Sequence, residues 1–424
     1  MKAESRHRWI PWITAASVAL LALPALPAAA AVQPRGREIK VNARTDFRQQ
    51  NPAAAFAPSG RSLVVWENDQ RGLRGQFLGT DGLASGAELT LVASQAIRGP
   101  EQQTIATRRE PAVAFLASGG FVLAWTEEID DVRSFAFIES RGIVDQDVYL
   151  QRFDAAGSPA AGRVRVNATT AGFQRQPRLI ARGNSGFLLT WESADGGIFV
   201  RSLSAAGVPS GSETRINDAA GSHPVGAAGS RSGNALIAWE ASDGTDAGVF
   251  ARLLGASGQP VGPAFRVNTT TAGRQRRPAV AASADGSFLV AWQGDLQIQT
   301  QSRIFAQAVG ANGNLMGPQL TLVQGVGYDL AQIAPAVATA PGGHFLLTWL
   351  AWRSTTSPGL EIAAAEIDGL GNTVGTPSWI TERRVQRNFR RPALAGDGQG
   401  TWLLSWETVA NNRNSIAARR LGAD

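Results

Sequence analysis

Carboxylates recur at one kind of place in this chain of 424 residues. Glu67, Glu192, Glu240 and Glu407 each follow a tryptophan directly, and Glu127 and Glu128 lie just beyond Trp125. A paired-carboxylate glycosidase needs only two such acids, about 5 to 10 Å apart. Arginines recur as well, at Arg108, Arg109, Arg175, Arg276, Arg277, Arg390 and Arg391. A guanidinium grips a planar anion with two parallel hydrogen bonds, so this set suits carboxylate or sulfate groups. His223 and Tyr328 complete a third possibility, the uronate lyase, in which arginine neutralises the sugar carboxylate and His or Tyr moves the proton from C5.

Each of these readings has a plainer rival. A residue that recurs at one position of a repeat usually serves the repeat, so the glutamates are expected at solvated strand ends or in links between neighbouring units. Arginines can cap strand ends and pair with those glutamates. Beyond the first 31 residues only His223 and His344 remain as histidines, and they fall on opposite faces of the fold derived below, where they cannot share a metal. The acidic stretch "EEIDD" (127–131) lacks the ligand spacing and central glycine of an EF-hand. No metal and no cofactor is expected. There is no cysteine, which removes disulfides, thiolate sites and a cysteine nucleophile.

The elements that must position these residues form a repeat. Trp66, Trp125, Trp191, Trp239, Trp292, Trp349 and Trp406 are separated by 59, 66, 48, 53, 57 and 57 residues. Upstream of each stands a proline, Pro52, Pro111, Pro177, Pro224, Pro278, Pro335 and Pro392, at a distance of 14 in six units and 15 in the fourth. Such a period signals a repeat architecture. Each unit reads as four short strands: a is "PAVAA" (278–282), b is "FLVAW" (288–292), c is "IFAQAV" (304–309) and d is "QLTLV" (319–323), divided by Gly, Asp and Asn turns. Strand b is apolar throughout rather than alternating, so it must be covered on both faces.

Radial packing of four-stranded antiparallel sheets supplies that cover. Seven units predict an all-β, seven-bladed β-propeller. The seventh unit has strands a, b and c but stops before d, and the missing strand stands at the other terminus as "REIKVN" (37–42), matching "FRVN" (265–268). The N-terminal strand is therefore expected to complete the last blade and close the ring. These units, "PAVAASADGSFLVAW" with "RVNTTTAGRQRRPAVA", resemble the propeller repeats common in exported and surface-associated bacterial proteins, many of them uncharacterised. The resemblance covers residues 37–424 and implies the fold, not a ligand. Sialidase Asp-boxes and WD repeats fit less well: Gly286 directly follows Asp285, and tryptophan is followed mostly by glutamate.

In a four-stranded meander the d–a and b–c connections leave on one face and the a–b and c–d turns on the other. Variation is concentrated on the first face, which is where function is expected. Blade 2 carries both large insertions there, "ASQAIRGPEQQTIATRRE" (93–110) and "TEEIDDVRSFAFIESRGIVDQD" (126–147). Together they are expected to build a lobe gathering Arg108, Arg109, Glu127, Glu128, Asp130, Asp131, Phe135 and Phe137. The ends of the d–a loops should place the arginines, with His223, around the mouth of the central channel as an electropositive funnel.

Bulk properties frame the function. Residues 1–31, a basic start followed by "ITAASVALLALPALPAAAA", read as a signal peptide, leaving 32–424 as one exported domain, periplasmic or secreted. No later segment is long and apolar enough to span a bilayer. The formal charge of +6 falls to +4 without that leader, and the basic residues beyond it are arginines apart from Lys40. Basic runs interleaved with aromatics are lacking, so nucleic acid is not an expected partner. The sequence points to a monomeric, non-catalytic binding module for an anionic glycan or a cell-surface protein. The alternative is a carbohydrate-active enzyme, lyase or hydrolase, on the same face.

Overall fold

The computed structural model describes residues 32–45, 47–98, 103–135, 138–182, 186–218, 223–244, 246–295, 302–322, 333–352, 360–381, 388–410 and 413–422. The expected leader (1–31), Tyr328 and Phe137 lie outside the described residues, as do the side chains of His223, Asp131 and Phe135. Among the described residues there are 29 strands and no α-helix, and no helix long and apolar enough to cross a membrane.

The strands form seven antiparallel sheets, one per repeat. Blade 1 is β2 (Gln49–Phe56), β3 (Ser62–Asn68), β4 (Leu73–Leu78) and β5 (Leu89–Val92), and blades 3 to 6 repeat the order in β11 to β26. Strand b is buried along its whole length in blades 1 and 3, as its unbroken apolar sequence requires. Seven apolar clusters fill the seven gaps between neighbouring blades. Each repeat tryptophan faces the blade before it: Trp292 packs with Leu236 and Val249 of blade 4, and Trp66 with Leu403 and Ile416 of blade 7.

The a strands are innermost and pack on one another around the whole ring, with β2 touching both β7 (Gln103–Phe115) and β27 (Asn388–Gly396). The ring closes as its termini imply. β1 (Gln33–Lys40) pairs with β29 (Arg413–Gly422), Ile39 opposite Ala418, and with β28 (Thr401–Ala410) completes the sheet β1-β29-β28-β27. One residue type makes the d strand recognisable. Asn167, Asn217 and Asn268 each accept the backbone N–H of a c strand, from Val148, Ile198 and Val249 at 2.8, 2.6 and 2.9 Å. Asn42 does the same for Ile416 at 2.8 Å, across 374 residues of sequence.

Blade 2 departs from the four-strand plan. Its insertions are not loops: β7, β8 (Phe121–Phe135) and β9 (Ile138–Phe153) continue outward as one tall sheet, and β6 (Gln95–Arg98) pairs with the extension of β7 as a fifth strand. Pairing satisfies the backbone groups that an 18-residue loop would leave to solvent.

Asn42→Ala leaves the buried N–H of Ile416 without its acceptor. It is expected to lower stability by about 1–3 kcal/mol, read as a reduced urea midpoint at unchanged slope. An unchanged midpoint would show that ring closure does not rest on this bond.

Candidate functional site

The face carrying the d–a and b–c connections is organised by one backbone irregularity. The residue before the repeat proline has a positive φ in six blades: Asn51 (50°), Glu110 (55°), Gln176 (57°), Arg277 (55°), Ala334 (53°) and Arg391 (48°). No glycine is used, and a position before proline disfavours helical conformations, so each is held there by its surroundings. It forms a bulge in strand a, seen as a register shift in every a–b pair. In blade 4 the bulge holds Pro224 and Val225 between His223 and Gly226. Proline has moved one place earlier, which accounts for the 15-residue spacing, and its ring bars the positive φ.

The bulge turns a backbone N–H toward the preceding blade, and there the recurrent glutamates meet it. Because side chains alternate along a strand, the residue after the tryptophan faces the following blade. Asn51 N–H donates to Glu407 at 2.7 Å, Glu110 N–H to Glu67 at 2.6 Å, and Arg277 N–H to Glu240 at 2.5 Å. In blade 2 the residue after the tryptophan is Thr126, and Glu110 supplies the carboxylate instead, accepting from Gln176 N–H and from the Thr126 hydroxyl, both at 2.9 Å. Pro224 offers no N–H to Glu192, which pairs with Arg175 at 3.5 Å.

These acids are therefore links between blades, as the repeat argument expects. Glu67 is buried and receives, besides the Glu110 N–H, the side-chain amides of Asn51 (2.5 Å) and Gln50 (3.2 Å). Burial holds its carboxyl above the ordinary value of 4.5, helped by the charge of Glu110 and opposed by the Glu110 N–H, the Asn51 amide and Arg109.

The strand register shows which arginines share a level. Opposite the residue after the tryptophan stand Gln50, Arg109, Arg175, His223, Arg276, Ile333 and Arg390, one from each blade. The funnel expected from sequence is thus a ring of four arginines and one histidine position, with Arg277 and Arg391 one residue further along.

Most of that charge is already answered. Arg109 lies 3.3 Å from Glu128 and 3.8 Å from Glu67, Arg276 lies 2.5 Å from Asp295, and Arg391 lies 3.2 Å from Glu407. Arg108, Glu127 and Glu128, expected in a ligand site, are interior at 3, 4 and 5 % exposure. Arg108 pairs with Glu127 at 3.2 Å, and Arg163 pairs with the same carboxylate. Arg108 occupies the place where Gln49, Gln174 and Gln275 accept the indole N–H of Trp66, Trp191 and Trp292, which explains its burial. Higher on the lobe, Asp130 meets Arg71 of blade 1 at 3.4 Å. Arg277 and Arg390 differ: both are exposed, and neither has a carboxylate partner among the described residues. No cluster of three His, Asp or Glu able to hold a metal occurs among the described residues.

The channel behind this ring is lined by the second to fourth residues after the proline slot of every blade and encloses about 350 Å³. At the a–b end it opens into a second space of about 540 Å³ bordered by Ser230, Arg231, Ser283, Thr339, Asp397 and Gln399.

No family model matches the chain, and no curated protein matches it. Solved structures do. A protein of unknown function from Dyadobacter fermentans is 12% identical over 94% of this chain and all of its own, with a TM-score of 0.51. A polysaccharide lyase of family PL25, an ulvan lyase bound to -[GlcA(1-4)Rha3S]-, is 10% identical over 91% of this chain and 96% of its own, with a TM-score of 0.56. The NanB sialidase of Streptococcus pneumoniae follows at 10% identity over 92% of this chain and 71% of its own, with a TM-score of 0.49. These likenesses are of fold.

The carboxyl of Glu67 sets a pH dependence. Since its native value is raised, the folded protein holds this proton more tightly than the unfolded chain, and stability falls as pH rises from about 4.5 through the native value. Glu67→Gln keeps an acceptor for the Glu110 N–H but cannot ionise. Urea unfolding at pH 4 and pH 8 is expected to show wild type losing stability relative to this variant as pH rises; parallel profiles would contradict the burial argument.

Proposed function

We propose that this protein is an exported, non-catalytic propeller that binds an anionic glycan on its d–a and b–c face. The observation that carries the reading is the contrast among its arginines. Arg109, Arg175, Arg276 and Arg391 are held against carboxylates, whereas Arg277 and Arg390 present exposed guanidinium groups with no carboxylate partner among the described residues. Arg277 is also anchored through its own backbone, which donates to Glu240, so its side chain leaves from a fixed point.

Arg277 on blade 5 and Arg390 on blade 7 flank the sector of blade 6, where Ile333, at the level of Arg390, and Ala334, at that of Arg277, are both apolar. A strand of sugar acids crossing that sector would meet one unpaired cation, an apolar floor, and a second cation. The recurrent glutamates take no part in chemistry on this reading: Glu67, Glu240 and Glu407 accept bulge N–H groups, and Glu192 is paired with Arg175. The likeness to the ulvan lyase lends the architecture only and contributes no residue to the argument.

Binding to alginate, pectate and chondroitin sulfate, with dextran as the neutral control, tests the reading. The double variant Arg277→Ala/Arg390→Ala is expected to lose about 100-fold or more in affinity for the acidic polymer that binds, since each of the two charge-assisted hydrogen bonds removed is worth roughly 1.5–3 kcal/mol. Arg175→Ala, which removes a paired cation, is expected to lose far less. Affinity unchanged in the double variant, or binding of dextran equal to that of the acids, would overturn it.

A further inference from the structure

Carboxylates of one blade meet the bulge N–H of the next at four junctions, received from Asn51, Glu110, Gln176 and Arg277, and at a fifth Pro224 has no N–H to give. The two junctions that remain lie on either side of blade 6. There the residue after the tryptophan is Gln293 in blade 5 and Leu350 in blade 6, and neither is a carboxylate. The bulge is kept nevertheless, with Ala334 at a φ of 53° and Arg391 at 48°. A left-handed alanine or arginine before proline is costly, and at these two places no glutamate offsets the cost.

Gln293 has the length of the glutamate it replaces, yet does not make its bond. Its Nε2 donates to the Ser302 hydroxyl at 3.2 Å, and its buried Oε1 has no hydrogen-bond partner, so the N–H of Ala334 is not received by it. Arg276 stands opposite Gln293 on the neighbouring strand and is drawn the same way. Its Nη2 donates to Asp295 at 2.5 Å, which also accepts the Ser302 hydroxyl at 2.8 Å, while its Nε is buried without a partner. At the next junction the side chain of Leu350 has no atom able to accept the N–H of Arg391.

These junctions are also the more open ones. The repeat proline is buried in blades 1, 2, 3 and 5, at Pro52, Pro111, Pro177 and Pro278, but only half-buried in blades 6 and 7, at Pro335 and Pro392. Two bulge N–H groups without a glutamate therefore lie in the sector that the exposed Arg277 and Arg390 flank. The other junctions show what such an N–H takes in this ring: a carboxylate.

We propose that the two junctions bordering blade 6 are carboxylate subsites, where uronate residues of a polymer supply to the N–H of Ala334 and of Arg391 the group that the protein's own carboxylates supply elsewhere. This rests on the reading of the face as a glycan site and narrows its ligand to a polyuronate. The guanidinium of Arg276 stands at the first subsite, on the face of its sheet that turns toward blade 6. The bound polymer ties blade 6 to both neighbours, so binding and the stability of the ring are coupled.

Pectate, its methyl ester and dextran sulfate are the probes. The purified protein is expected to bind pectate at least about tenfold more tightly than either of the others, with a saturable rise in melting temperature. Gln293→Glu places the repeat's own carboxylate at the first junction. It is expected to raise the urea midpoint and to weaken pectate binding at least about tenfold. Gln70→Glu adds the same charge at an exposed position of blade 1 and is expected to change the affinity by less than about threefold, which separates occupation of the subsite from general repulsion. Methyl ester or dextran sulfate bound as tightly as pectate would overturn the inference. So would pectate affinity unchanged in Gln293→Glu, or weakened there without a gain in midpoint; if Arg277→Ala/Arg390→Ala still loses binding, the glycan reading stands and this inference alone fails. Absence of binding of any acidic polymer by wild type would overturn both.

Discussion

The junctions between blades turn on a hydrogen bond: at three of the seven, a carboxylate following the tryptophan of one sheet accepts the N–H of a left-handed residue that precedes the proline of the next. Each side explains the other. The left-handed conformation is costly for a residue other than glycine, of order 1–3 kcal/mol. The buried carboxylate is costly without donors. Joined, the two costs offset, and the bond ties one blade directly to the next. Apolar packing fills all seven gaps between blades, but packing alone is not directional. The carboxylate link is, and it operates across the seam between the last blade and the first, where Asn51 meets Glu407.

This bond also governs the charge on the functional face. Glu67 and Glu407, which catch bulge N–H groups, also stand beside Arg109 and Arg391, while Glu192 and Asp295 answer Arg175 and Arg276. Arg109 illustrates this, sharing its charge between Glu67 of blade 1 and Glu128 of its own blade. What remains for ligands is set by departures from the repeat. Arg277 has its backbone bound to the glutamate and a side chain with no carboxylate partner among the described residues.

Much of the fold was legible in the sequence because the proline, the tryptophan and the all-apolar b strand are local signals repeated seven times, and because "REIKVN" matched the d strands it substitutes for. The lobe of blade 2 was legible as an insertion but not as a sheet, since pairing of residues 103–107 with 128–132 is a contact between two segments that each read as loop. The interior place of Arg108 could have been found by aligning it with Gln49, Gln174 and Gln275, each 17 residues before its tryptophan. The link from each glutamate to the next blade could not, because a positive φ before proline leaves no mark in residue type: Asn, Glu, Gln, Arg and Ala all occupy it.

We propose that the recurrent carboxylates tie blades together while arginines without a carboxylate partner among the described residues bind an acidic polymer without cutting it. Mass spectrometry of alginate, pectate and chondroitin sulfate after prolonged incubation with the purified protein, across pH and divalent metal supply, tests it most directly. The account predicts polymer that is retained by the protein and unchanged in size. New oligosaccharides would contradict it, and the presence or absence of an unsaturated uronate at their ends would identify the chemistry as elimination or hydrolysis.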